Sequence, residues 1–178
     1  MNIIDTGIKD LLVLEPRVFE DERGYFFESY NESTYPDFPN PWVQDNESKS
    51  NRGVLRGLHY QIGGAAQAKL VRAITGEIYD VAVDLRETSD TYGKWYGTML
   101  TASNKRQMYV PRGFAHGFVV VSETAIFAYK CDNYYNKEGE GGIIYNDLSL
   151  GIDWPIESSE LLLSSKDLEL PAFGDHLK

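Results

Sequence analysis

The sequence predicts an all-β barrel or sandwich, on three observations. Pro and Gly recur at short intervals, cutting the chain into segments of strand length. No stretch has the long amphipathic periodicity of a substantial helix. Two segments alternate strictly: Tyr79, Val81, Val83 and Leu85 share a face opposite Asp80, Ala82 and Asp84, and Ala125, Phe127, Tyr129 and Cys131 share another.

In order, Asn2 to Val18 reads as a turn-bounded apolar segment around Leu11–Leu14 that ends at Glu15-Pro16. A turn at Asp21 to Gly24 leads into a short aromatic strand, and Pro36, Pro39 and Pro41 mark a loop. Asn51 to Gln61 (NRGVLRGLHYQ) combines strand formers with two arginines, two glycines and a histidine. Strands are then expected at 69–74, 77–85, 95–101, 107–110, 117–122 and 124–129. Beyond Trp154-Pro155, one or two short helices around Ser158 to Asp167 would cap the barrel. No repeat or low-complexity linker divides the chain, so residues 1–178 are expected to form a single domain.

Apolar residues make up 42% of the chain and charged residues 25%, an ordinary globular balance. Apolar runs are only a few residues long, as in Phe118 to Val121, which argues against a membrane span. No secretory n- and h-region follows Met1, and a lone Cys131 cannot make an intrachain disulfide. A cytoplasmic location is expected. The net charge of −10 disfavours nucleic acid or an anionic membrane as a partner, so an anionic ligand would need a local convergence of cations.

Within NRGVLRGLHYQ, His59 has the unperturbed pKa suited to taking a proton near neutrality, and Arg56 has the donor fork suited to phosphate. Strict alternation would put these two on opposite faces, three residues apart, whereas a bulge at Gly57 would bring both to one cavity. The bulge is the reading taken here. By itself, the stretch fits an ordinary strand with a solvated arginine equally well.

A second cluster, Pro111-Arg112-Gly113-Phe114-Ala115-His116, is a P-x-G-x-x-H turn that matches one of the two motifs of the cupin superfamily of jelly-roll barrels. Many cupins hold a metal through an H-x-H pair, a glutamate and this later histidine. Here the first motif reads His59-Tyr60-Gln61, and His176 lies in the tail. A metal site is therefore not expected. His116 is either a hydrogen-bonding group of a pocket or a core histidine.

Together with these clusters, DERGYFFESY, QDN (44–46), AKLVR (68–72), GEIYDVAVDLR, NKRQMYVPRGFAHGF, YKCDNYY, GIDWP and SSKD (164–167) give a specific pattern. It runs from near residue 15 to near 171 and resembles the dTDP-4-dehydrorhamnose 3,5-epimerase family of metal-free, cupin-like enzymes. The resemblance implies a cupin-like jelly roll, a thymidine-diphosphate 4-keto-6-deoxyhexose substrate, no cofactor, and a homodimer whose N-terminal strands help complete the partner's pocket. It also implies proton removal at C3 and C5, each acidic because it lies α to the C4 ketone. His59 would be the base, Asp167 its partner, Lys69 the cation at O4 and Tyr129 the acid on the opposite face. Arg56 and Arg23 would hold the diphosphate, and Phe19 would stack on thymine. Glu28, Gln44 and Asn46 would help hold the nucleotide, with His116, Tyr135, Glu140 and Lys166 lining the site. Without the resemblance, Asp167 reads as a helix cap, Lys69 as a solvated rim lysine and Tyr129 as a core tyrosine. The alternatives are an epimerase or ketoisomerase acting at one carbon, a sugar-binding cupin without activity, and a metal-dependent cupin oxygenase. The missing H-x-H opposes the last, and the set of His59, Lys69, Tyr129 and Asp167 opposes the binding module.

Overall fold

A computed structural model of the chain describes residues 1–176. Its strands are β1 (Asn2–Asp5), β2 (Leu12–Glu15), β3 (Phe19–Asp21), β4 (Gly24–Phe26), β5 (Gln44–Asn51), β6 (Leu55–Gln61) and β7 (Lys69–Thr75). They continue with β8 (Glu77–Asp84), β9 (Trp95–Thr101), β10 (Gln107–Val110), β11 (Phe114–Val120), β12 (Thr124–Cys131) and β13 (Glu140–Gly142). One sheet has the order β1-β2-β10-β7-β12-β5, a second β13-β6-β11-β8-β9, and β3 and β4 form a separate hairpin. The paired strands are antiparallel, and the fold is the expected all-β, cupin-like jelly roll.

The two sheets face each other across an apolar core. Val71, Ala73, Met108, Val110 and Phe127 of the larger sheet meet Ile78, Leu100, Phe114, Phe118 and Val120 of the smaller. The alternation in β8 is as read, with an outcome set by the cap. Val81 and Val83 point outward and are covered by Ile143, Leu150, Trp154 and Phe173, while Asp80 and Ala82 point into the barrel. The larger sheet has its own cover, as Tyr30, Tyr35, Phe38 and Trp42 of the proline-rich loop pack on Leu14, Leu70 and Tyr109.

Two expectations need correction. The strand placed at 117–122 runs from Phe114 to Val120, because the turn closes earlier, at Gly113 with φ +85°. The eight-residue β5 was not foreseen. It is a polar edge strand, pairing among the described residues with β12 alone, and no apolar alternation marks it. The expected helical cap is present as 3₁₀ turns and α1 (Ser165–Leu168).

The register of β6 decides what faces the cavity. Its partner β11 sets His116 opposite His59 and Phe118 opposite Arg56, so two residues, Gly57 and Leu58, stand against Gly117 alone. This is a bulge, and it returns Arg56 and His59 to one face. Gly57 has φ +124°, and a Cβ there would lie 2.6 Å from the Gly117 Cα, so the close approach needs a glycine. Just before β6, the C-terminal segment is stitched on by two bonds, Leu162 N–H to Gly53 O at 2.8 Å and Leu55 N–H to Leu162 O at 3.0 Å.

Gly53 has φ +81°, and a Cβ there would overlap the Glu160 carbonyl oxygen. Gly53→Ala is therefore expected to lower the unfolding free energy by at least about 1–2 kcal/mol, the cost of the left-handed backbone alone. Urea denaturation checks this, and an unchanged midpoint would show that the stitch yields freely.

Candidate active site

His59 on β6 lies in the wall of a cavity of about 340 Å³ at one end of the barrel. Gln44 and Asn46 of β5, Lys69 of β7, Tyr129 and Cys131 of β12, Tyr135 and Glu140 share this lining. The bases of these positions follow from pairing: Tyr129 stands opposite Asn46, and Cys131 opposite both Gln44 and Lys69. Residues opposed in this way share a face. The cavity thus has His59 on the smaller sheet and Tyr129 with Lys69 on the larger sheet facing it.

His59 Nε2 lies 2.6 Å from Asp167 Oδ1. Asp167 is only 4% exposed and sits in the first turn of α1, where its N–H donates to the Ser164 hydroxyl at 3.1 Å. The Ser164 hydroxyl in turn donates to Asp167 Oδ2 at 2.6 Å. Asp167 is therefore both part of a helix cap and the partner of His59. A carboxylate accepts, so Nε2 carries the ring proton and Nδ1 is left with the free lone pair. Burial pushes the His59 pKa below its ordinary value, and the charge and hydrogen bond of Asp167 push back. The ring is neutral at neutral pH, as a base must be.

The Lys69 ammonium forms no ion pair or hydrogen bond among the described residues and sits 6.0 Å from the Tyr129 ring centroid. Burial lowers its pKa, which the Cys131, Asp80 and Glu140 side chains oppose. The Tyr129 hydroxyl has no hydrogen-bond partner among the described residues, and burial raises its pKa, keeping the phenol protonated. A base, an acid and an uncommitted cation thus share one chamber. Such a set can take a proton from one side of a bound molecule, hold the charge that develops and return a proton from the other side.

Around this centre, Gln44 Nε2 donates to Asn46 Oδ1 at 3.1 Å, and Asn46 Nδ2 approaches Cys131 Sγ at 3.7 Å. Glu140 accepts from the Tyr135 hydroxyl at 2.9 Å and pairs with Lys166 at 2.6 Å. Arg56 is not part of the cavity lining; it bridges the sheets, with Nη2 donating to the Ser50 hydroxyl at 3.2 Å. His116 lies deeper, 7% exposed, its Nε2 at 2.9 and 3.0 Å from the oxygens of fully buried Asp80 and its ring stacked on Phe127. It is a core histidine with a satisfied partner. Gln61, at the position of the absent second histidine, accepts from the Asn136 N–H at 3.0 Å.

Besides the core histidine His116, three expected residues lie away from this cavity. Phe19 and Glu28 line a separate groove, with the Arg17 guanidinium 4.6 Å over the Phe19 ring and Glu28 accepting from Asn31. Arg23 is paired with Asp21 in the β3–β4 hairpin. Conversely, Ser164, Cys131 and Asp80 were not singled out for the site. The S-x-x-D spacing of a capping box marks Ser164, and the alternation through Tyr129 marks Cys131. Nothing local marks Asp80.

Fold and cavity together define a cupin-like barrel equipped for proton transfer. The family model for dTDP-4-dehydrorhamnose 3,5-epimerase matches residues 5–175. A dTDP-4-dehydrorhamnose 3,5-epimerase of Pseudomonas aeruginosa is 56% identical over 172 residues, covering 95% of this chain and 94% of that protein. The crystal structure of the Elizabethkingia anophelis enzyme of that name superimposes with a TM-score of 0.94 at 58% identity, covering 98% of this chain and 97% of that one. The Legionella pneumophila dTDP-6-deoxy-D-glucose-3,5-epimerase, solved with dTDP-4-keto-L-rhamnose, gives 0.92 at 48% identity, covering 96% and 92%. The chain belongs to the dTDP-4-dehydrorhamnose 3,5-epimerase family.

The His59 geometry carries its own test. An NMR titration of the imidazole is expected to give a midpoint below about 6.5, the unperturbed value. Asp167→Asn removes the opposing influence and should move it lower still. A midpoint above 6.5 in the unaltered protein would mean that Asp167 outweighs burial.

Proposed function

We propose that the protein epimerises dTDP-4-dehydro-6-deoxy-D-glucose at C3 and C5 to dTDP-4-dehydro-L-rhamnose, in the making of dTDP-L-rhamnose. The observation that carries the mechanism is the placement of His59 and Tyr129 on facing sheets across one cavity. His59 Nδ1 takes the proton α to the C4 ketone, and Asp167 steadies the imidazolium that results. Lys69, with no competing partner among the described residues, meets the negative charge that develops on O4. Tyr129 then delivers a proton from the other face, inverting the carbon. Each carbon needs only this exchange of protons, so the net reaction calls for no electron carrier, and we expect chelator-treated protein to keep its turnover.

Arg56, with Lys166 and Glu140, supplies polar groups for the nucleotide end of the substrate in this reading, beside Gln44, Asn46 and Tyr135. Phe19, Arg23 and Glu28 join the site in this reading only through a homodimer, in which one protomer's N-terminal hairpin reaches its partner. The unpaired edge of β5 and the exposed aromatics Phe19, Tyr25 and Phe26, 50–65% accessible, support that arrangement. No helix among the described residues is long and apolar enough to cross a membrane, and we place the enzyme in the cytoplasm.

NMR of the sugar nucleotide in D2O tests the roles. His59→Ala is expected to lose about 10²–10⁴-fold in exchange at C3 and C5 together. Wild-type exchange at either carbon would mean that another base serves it. Tyr129→Phe keeps the ring in the wall, so exchange with retained configuration should persist while inversion falls sharply at the carbon Tyr129 serves, which the family resemblance implies is C5. Loss of exchange and inversion in equal proportion would contradict the two-sided assignment.

A further inference from the structure

His59 and Asp167 come from segments more than a hundred residues apart, and their 2.6 Å contact requires the carboxylate to hold one rotation. A carboxyl group turns easily about its terminal bond, so something must choose the oxygen that faces the ring. Oδ1 is taken by His59 Nε2, and among the described residues the one side-chain donor to Oδ2 is the Ser164 hydroxyl, at 2.6 Å. That hydroxyl also accepts from the Asp167 N–H at 3.1 Å, so its own direction is set by the helix turn it caps. Two residues upstream, Leu162 is bonded to the backbone of Gly53 and Leu55 at the start of the strand that carries His59. The segment's register on β6 and the rotation of its carboxylate are therefore fixed by separate contacts.

We propose that Ser164 is a positioning residue for the reaction, acting through Asp167 on the His59 ring. The inference rests on the reading of His59 as the base. Ser164 touches neither the cavity nor, in this account, the substrate. Its hydroxyl locks the Asp167 carboxylate in the rotation that keeps the proton on Nε2 and the lone pair on Nδ1 pointed at the substrate. Losing the lock leaves a buried carboxylate with one donor fewer and a ring free to change tautomer.

The test uses the full chain with its sugar-nucleotide substrate. Ser164→Ala is expected to lower kcat about tenfold with KM within about twofold, since the interaction belongs to proton removal rather than to binding. The Nε2-bound proton of His59, read by ¹H NMR, should lie far downfield in the unaltered protein and be shifted or broadened in the variant. Ser164→Thr, which keeps a capping hydroxyl, should restore both. Ser164→Gly separates capping from positioning, because glycine is tolerated at an N-cap yet has no hydroxyl; it should match Ser164→Ala. In an Asp167→Asn background, Ser164→Ala should cost nothing further. Wild-type kcat in Ser164→Gly, or an undiminished extra loss beside Asp167→Asn, would overturn the proposal while leaving the base in place. Wild-type exchange in both Asp167→Asn and His59→Ala would remove the base itself, and this inference with it.

Discussion

The hydrogen bond between His59 and Asp167 is the interaction on which the rest depends. It joins a barrel strand to the C-terminal segment and converts an ordinary imidazole into one with a fixed tautomer. Making it requires two backbone adjustments on the same strand. The bulge at Gly57 and Leu58 turns His59 into the barrel together with Arg56. The stitch at Gly53 sets the C-terminal segment in register so that α1 arrives beside the ring. The apolar outer face of the smaller sheet adds to this, because Leu150, Trp154 and Phe173 can cover it only if the chain crosses on that side. Packing and chemistry therefore select the same path for residues 143–173.

The electrostatics run against the overall charge. A chain of net charge −10 sets Lys69 in the cavity lining, pairs Lys166 with Glu140 of that lining and brings the Arg56 charge to bear on Tyr129. Arg56 and Lys166 are tethered by Ser50 and Glu140, whereas the Lys69 ammonium is held by no hydrogen-bond or ion-pair partner among the described residues. Burial moves the pKa of this ammonium downward, and the side chains of Cys131, Asp80 and Glu140 push it back. In the proposed reading this ammonium is free to meet the negative charge that develops on the substrate. Burial treats the other two groups consistently, keeping the base neutral and the phenol protonated.

Much of the fold was legible because its strands bury one face. In β8 and β12 the period of two stands out in the sequence, and the histidine-bearing strand could be read as bulged from the conflict between Arg56 and His59. What periodicity could not say is which face looks inward. In β8 the valine face looks out, under the C-terminal cap, and the aspartates look in. The polar β5 escaped because both of its faces are hydrophilic, one toward the cavity and one toward solvent. Within the site, the Asp167 partnership is a contact across 108 positions that no local pattern encodes; only the family resemblance pointed to it. Asp80 went unremarked for the same reason, its partner His116 lying on a neighbouring strand. Phe19, Arg23 and Glu28, which only the family resemblance pointed to, sit on surfaces away from the cavity.

The central claim is that opposite walls of one chamber serve opposite faces of the sugar. The most direct measurement is a crystal structure with a dTDP-linked 6-deoxyhexose that lacks the 4-keto group and so binds without reacting. The account predicts His59 Nδ1 on one face of the ring beside C3 and C5, the Tyr129 hydroxyl on the other, and the Lys69 ammonium at the oxygen on C4. A sugar ring with His59 and Tyr129 on the same face, or with Lys69 turned away from that oxygen, would contradict it.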